Sequence, residues 1–300
     1  MWSVIKLQAK AYRNSVGPVF TFVFSLIFLL LFGSTQPLYS LVPSMVGMSI
    51  ANISMFSFGN NFIELKNSSV VKRMGSTPIT KTEFITGMII WNVFLILVSI
   101  TWMMFVAWVF AFIPGFLYTS EVVQTLPNTT GSIPVVGEEI SLSFSGMDIT
   151  GVVQSVDPTT GAITLLTSPE FTYGNIQWGW FIYGIIESLF MGMAIAFMLT
   201  TFAKTVQGFS LVSSLYVFIL VSMLGGVFIP SSAINGSWLQ YAQYISPVAY
   251  GNTLLRDAFA GGIGDGWFGA APLQTMSVFM PWIFGAAAFG VSVKNFSWEG

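Results

Sequence analysis

Between its charged residues this chain runs for long apolar stretches, and their length limits what it can fold into. A bilayer core about 30 Å thick is crossed by about 20 mostly apolar residues in a helix. Residues 16–32, 84–113, 178–202, 209–229 and 273–293 meet that requirement, the first at the short end. A sixth stretch, 38–58, holds Pro43 and five serines but no charge. Pro and Ser persist in membrane helices where neighbouring helices re-satisfy the backbone. The expected fold is therefore an all-α polytopic membrane protein with six transmembrane helices. Composition agrees: 54% of the residues are hydrophobic and 7% charged, with a mean hydropathy of +0.77. A soluble domain carries about 25% charged residues, so lipid has to form part of this chain's solvent.

The basic residues fix an expected orientation, because cytoplasmic loops are enriched in Lys and Arg. Lys6, Lys10 and Arg13 precede the first run, and Lys66, Lys72, Arg73 and Lys81 lie between the second and third. Lys204 separates the fourth from the fifth, and Lys294 follows the sixth. Nine of the ten basic residues thus fall in alternate segments, Arg256 being the exception. Residues 117–177 hold six carboxylates and no Lys or Arg. Both termini are expected in the cytoplasm and 117–177 outside. A cleavable signal peptide is not expected, since the first apolar run is long enough to span and no Ala-x-Ala site follows it. Residues 1–15 read as a helix on the inner leaflet, with Trp2, Ile5, Ala9 and Tyr12 on one face and the three cations beside it. A plain positively charged flank is the alternative.

Much chemistry is excluded. With no His and no Cys there is no His-based triad, thiol nucleophile, thiolate or imidazole metal site, or disulfide. No Gly-x-x-x-x-Gly-Lys-Ser/Thr phosphate loop occurs, so ATP, if used, is hydrolysed elsewhere. Gly262-Ile263-Gly264-Asp265 has the Gly-x-Gly-Asp pattern of intramembrane aspartyl proteases, but that chemistry needs two facing aspartates and no apolar run contains one. Asn128-Thr129-Thr130 is a glycosylation triplet of low specificity.

Two segments carry more information. In 60–83, residues 62–74 form a short amphipathic pattern stopped by Gly75 and Pro78, and Thr80-Lys81-Thr82-Glu83 is a capping box for the next run. In 217–258, an apolar run contains Gly225-Gly226 and gives way to Pro230; the following 238–250 stretch is too polar and interrupted to span. Such backbone at membrane depth must be enclosed by protein or water, so residues 230–258 read as re-entrant or interfacial.

Both segments resemble the permease subunits of type-2 ABC exporters. The pattern Leu-Lys-Arg-x-x-x-Thr-Pro-hydrophobic-Ser/Thr is matched by Val71 (in place of the usual Leu), Lys72, Arg73, Thr77, Pro78, Ile79 and Thr80, with Glu64 and Lys66 upstream. The family's turn and re-entrant signature is matched by Gly225, Gly226, Phe228, Pro230, Trp238, Leu239, Pro247, Tyr250 and Arg256. The resemblance implies a permease that pairs with a second copy of itself and recruits separate ATPase subunits through Glu64, Lys66, Lys72, Arg73, Thr77 and Pro78. ATP and Mg would be bound by those subunits, leaving this chain without catalytic, cofactor or metal residues and without nucleic acid. The family's place would be the prokaryotic plasma membrane, and its cargo a drug, lipid, peptide or polysaccharide; the aromatic content suits an amphiphile.

Residues 114–177 are longer than the family's usual connection. Alternating patterns at 139–144, 149–156 and 162–166, around the turn 157–161, predict three short antiparallel strands in a β-rich extracytoplasmic insertion. Its acidity either keeps the surface soluble or attracts cations weakly. The expected division is thus an interfacial helix (1–15), three spans with a coupling loop (16–113, loop 60–83), the insertion (114–177), and three spans with a re-entrant segment (178–300, segment 230–258).

Glu187 is the one clear charge inside a span. An intramembrane carboxylate is by default a functional candidate: it binds a cationic substrate, relays protons, or stays protonated and hydrogen-bonds a neighbouring helix. Ser188, Gly184, Gly192 and Ala194 beside it favour close helix packing. The rival to the ABC reading is an ion-coupled secondary transporter with Glu187 as its proton site, which calls for inverted repeats; none is evident.

Overall fold

The computed structural model describes residues 2–13, 22–32, 38–67, 81–111, 120–125, 139–144, 147–156, 162–167, 173–228, 239–264, 267 and 272–295. It is mostly helical. Among the described residues four helices are long and apolar enough to cross a membrane: Ser40–Glu64, Glu83–Phe110, Trp178–Phe202 and Val206–Met223.

Helix α1 (Trp2–Arg13) ends in Lys10 and Arg13, which suit the negative end of its dipole. After α2 (Phe24–Phe32) comes α3 (Leu38–Asn52), which passes through a π-helical stretch, Ile53–Gly59, into α4 (Asn60–Asn67). Helix α5 is Lys81–Ala111, with Glu83 in its first turn. Helix α6 (Trp178–Phe202) follows the 3₁₀ turn Tyr173–Asn175, and α7 (Val206–Leu215) runs into a second π-helical stretch, Tyr216–Met223. The short α8 (Leu239–Gln243), then α9 (Pro247–Phe259), α10 (Pro272–Ser277) and α11 (Met280–Asn295) complete the order.

The six expected spans therefore meet three different outcomes. The serine-rich stretch, weakest by hydropathy, is a long helix that the protein encloses most completely of the four. Leu41, Val42, Met45, Val46, Ile50 and Met55 along it are buried, so its serines pass through protein instead of lipid. The first run is helical over Phe24–Phe32, and residues 14–21 lie outside the described residues. The last run is broken: α10 ends at Ser277 and α11 starts at Met280. Pro281, in the first turn of α11, accounts for the break, because it has no N–H to donate to the Ser277 carbonyl.

Four strands occur between α5 and α6, where the sequence predicts three. β1 (Ser120–Thr125), β2 (Glu139–Phe144), β3 (Met147–Val156) and β4 (Ala162–Thr167) form one antiparallel sheet in the order β1-β4-β3-β2, with an irregularity between Val153 and Ser155. β1 is the added strand, an edge strand that pairs only with β4. Turn 157–161 lies outside the described residues.

Polar clamps fix the helices around α6. The Gln177 side chain donates to the Ile263 carbonyl (2.7 Å) and accepts from the Ile263 N–H (3.1 Å), and the Gln177 N–H donates to the Ala258 carbonyl (2.9 Å). The start of α6 is thereby tied to the end of α9. Tyr173 donates its hydroxyl to the Met104 carbonyl of α5, and Tyr183 donates to the Val278 carbonyl in the break before α11 (2.9 Å). At the other end of α6, the Thr205 side chain caps α7 by accepting from the Gly208 N–H (3.1 Å).

Candidate functional site

The π-helical stretch that ends the long helix Val206–Met223 unwinds into a turn at Leu224–Phe228. Gly226 has φ 77°, the left-handed region, and a Cβ there would overlap the Arg256 guanidinium. A Cβ on Gly225 would overlap the Val221 carbonyl oxygen. Only glycine fits both positions, one for conformation and one for space.

The turn releases carbonyls that lipid could not satisfy, and α9 supplies their donors. Arg256 Nη2 donates to the carbonyls of Gly226 (2.9 Å) and Gly225 (3.2 Å), and Asn252 Nδ2 donates to Gly225 (2.7 Å). Arg256 Nε donates to Ser44 Oγ of α3 (2.7 Å), whose own hydroxyl donates to the Ser40 carbonyl (2.8 Å). One planar cation thus joins α3, the glycine turn and α9. Burial lowers the Arg256 pKa to about 10, against the pull of the neighbouring Asp257 charge, so it remains protonated at neutral pH. Asp257 Oδ2 accepts from Trp267 Nε1 (2.7 Å) and Gln274 Nε2 (3.2 Å). Burial raises the Asp257 pKa, while those two hydrogen bonds and then Arg256 oppose the rise.

Helix α9 is positioned from both ends. Pro247 opens it at N1, where a missing N–H costs nothing. Just before it, Ser246 Oγ donates to the Leu220 carbonyl inside the second π-helical stretch (2.6 Å). Tyr250, buried, donates to the Tyr244 carbonyl (3.0 Å) and lies 6.1 Å from the Phe284 ring of α11. Close approach to its neighbours depends on small residues: a Cβ on Gly47 of α3 would overlap the Asn252 amide, and one on Gly251 would overlap Ser188 of α6.

Glu187 lies elsewhere, on α6. Gly184 and Ser188 face α9, where they meet Leu255 and Gly251, while Phe190 and Met191 approach Gly285 of α11. The helical period places Glu187 on the side of α6 that carries Phe190 and Met191, and it is completely buried. Neither carboxyl oxygen has a hydrogen-bond partner among the described residues. The small-residue packing expected around it is present at Gly184 and Gly192, the latter against Ser54. The hydrogen bond to a neighbouring helix, one of the three roles open to it, does not occur among the described residues.

The remaining sequence candidates fall in three groups. Glu64 is exposed on α4, and Lys66 shares that helix. Lys72, Arg73, Thr77, Pro78, Pro230 and Trp238 lie outside the described residues. Gly226, Pro247, Tyr250 and Arg256 meet in and around the glycine turn. Sequence reasoning missed Ser44 and Asn252. Asn252 could have been found, since it stands four residues before Arg256 and so on the same face of α9.

No group of three or more metal-ligating side chains occurs among the described residues. What the arrangement offers is mechanical: a rigid cation locking a break in one long helix to two others. Comparison of the chain with curated proteins and with solved structures finds no match. A protein-family model does match, over residues 152–260, which include Glu187, the glycine turn and α9. That model describes the ABC-2 type transporter, so this stretch is similar to the membrane domain of the permease family of type-2 ABC transporters, in agreement with the resemblance carried by the sequence motifs.

Proposed function

We infer that this chain is the membrane-spanning permease of an ATP-driven exporter. The ABC-2 match supports a transport component that leaves ATP hydrolysis to another subunit. The observation that carries the finer reading is the Arg256 lock within the matched stretch: a helix broken at Gly225–Gly226 and held to α3 and α9 by one side chain. Relative movement of those helices would exchange or break these bonds, giving the membrane domain two discrete states that a motor could drive between.

In this reading two copies line a pathway for an amphiphilic substrate, a drug, lipid, peptide or polysaccharide. Segment 60–83 receives separate ATPase subunits through Glu64, Lys66, Lys72, Arg73, Thr77 and Pro78, and those subunits bind ATP and Mg. The chain crosses a prokaryotic plasma membrane with residues 1–15 and 294–300 in the cytoplasm and the β-sheet region outside. Six spans complete the membrane part, with 16–32 and 273–293 joining the four long helices. The distribution of basic residues supports that orientation.

The second reading, an ion-coupled secondary transporter, is favoured by one observation, the buried Glu187 with no hydrogen-bond partner among the described residues. Uptake of an amphiphilic fluorescent dye into inverted vesicles separates the two. ATP-driven export predicts uptake that vanadate stops and a protonophore leaves intact; the reverse pattern would overturn the exporter reading.

A further inference from the structure

Helix α1 has two faces of different character. Val4 and Gln8 are buried, and Tyr12 lies edge-on to Trp91 of α5 with ring centres 6.0 Å apart. The buried face is therefore Val4–Gln8–Tyr12, and Trp2 is 67% exposed. Lys6, Lys10 and Arg13 follow one another at i, i+4 and i+7, which makes a single stripe, and all three are exposed. Trp2 flanks the stripe on one side and Leu7, 52% exposed, on the other. The Lys6 ammonium sits over the Trp2 ring, 5.8 Å from its centre. No carboxylate forms an ion pair with any of the three cations among the described residues.

The depth of α1 follows from its hydrogen bonds. Gln8 Oε1 accepts from Asn61 Nδ2 (3.3 Å), and Asn61 lies near the end of the long apolar helix Ser40–Glu64. Next to it, Asn60 Oδ1 accepts from Ser210 Oγ (3.0 Å), near the start of the apolar helix Val206–Met223. The cationic stripe is thus held level with the ends of two long apolar helices, where phospholipid headgroups lie. A stripe of cations between an exposed indole and an exposed leucine matches such a surface in charge and in polarity.

We propose that the exposed face of α1 binds anionic phospholipid headgroups, with Lys6, Lys10 and Arg13 taking the phosphates and Trp2 and Leu7 entering the acyl boundary. Each cation near an anionic leaflet adds to the attraction, and the contacts of Val4, Gln8 and Tyr12 keep the stripe pre-oriented. A lipid seated there lies one hydrogen bond, Gln8–Asn61, from the helix that leads into segment 60–83.

The full chain has no cysteine, so Leu7→Cys can carry a single bimane label. The labelled protein is reconstituted into nanodiscs of phosphatidylcholine and phosphatidylglycerol at equal fractions, with either lipid brominated in turn. Brominated phosphatidylglycerol should quench at least about fivefold more effectively than brominated phosphatidylcholine, because several lysines and arginines act together on one anionic surface. Replacing Lys6, Lys10 and Arg13 together by Gln should bring the ratio to about one with the melting temperature unchanged, and Lys10→Gln alone should lower it part of the way. Equal quenching by both lipids, no quenching by either, or a preference that survives the triple substitution would each overturn the proposal.

Discussion

Arg256 and Gly226, thirty residues apart in the chain, are joined by a 2.9 Å hydrogen bond from guanidinium to carbonyl, and each requires the other. The glycine takes a left-handed φ of 77° that turns its carbonyl towards the arginine. The arginine fills the space in which any larger residue's Cβ would stand. Sequence alone supplies both residues, but only the fold makes them one device.

Gly226→Ala should therefore damage the protein more than an ordinary helix substitution. Left-handed backbone in a residue with a Cβ costs roughly 1–3 kcal/mol, before any displacement of Arg256. A melting temperature well below that of the parent in detergent is the expected result. Gly290→Ala, where an added Cβ meets nothing within 4 Å, should melt like the parent.

Arg256→Lys tests whether geometry or charge holds the turn. Lysine keeps the charge but loses the planar fork that reaches Ser44 and two carbonyls at once. Hydrogen bonds to a charged group contribute about 1.5–3 kcal/mol, so the Lys variant should melt clearly lower and Ser44→Ala less so. Equal melting of Arg256→Lys and the parent would mean that charge alone suffices.

Much of the helical architecture was legible because apolar length is a strong signal. Residues 178–202 were read with the bounds that the helix Trp178–Phe202 has. The Arg256 cluster was legible as a motif and not as a contact, since Ser44 stands far away in sequence and carries no pattern of its own. The break at Ser277–Met280 was hidden because hydropathy weighs Pro281 as one residue among many, although its missing N–H acts on the helix directly. β1 was missed because Ser120–Thr125 lacks the apolar–polar alternation that marks β2 and stands out only beside its partner β4. The protein-facing side of α1 was not legible, because Gln8 counts as polar, yet pairs with Asn61 and is buried.

Glu187 separates structure from transport. A buried carboxyl without a partner costs about 1–3 kcal/mol, so Glu187→Met, similar in length and apolar, should raise the melting temperature. Glu187→Gln should keep most ATP-driven transport. A Gln variant that melts normally but transports nothing would assign the residue to a cation or proton path and favour the secondary-transporter reading.

Orientation is testable without background because the chain has no native cysteine. Ser143→Cys, in strand β2, should react with a membrane-impermeant maleimide in intact cells. Labelling seen only in inverted vesicles would reverse the assigned topology.

Dependence on a separate ATPase is tested by ATP hydrolysis in the complex purified from its own membrane on a tag carried by this chain. The account predicts vanadate-sensitive hydrolysis by a second polypeptide that contains a phosphate loop. Replacing Lys72 and Arg73 by Glu should lose that polypeptide, or its coupling to transport, while this chain stays folded. Purified chain that transports with no nucleotide-hydrolysing partner, or a partner indifferent to both substitutions, would contradict it.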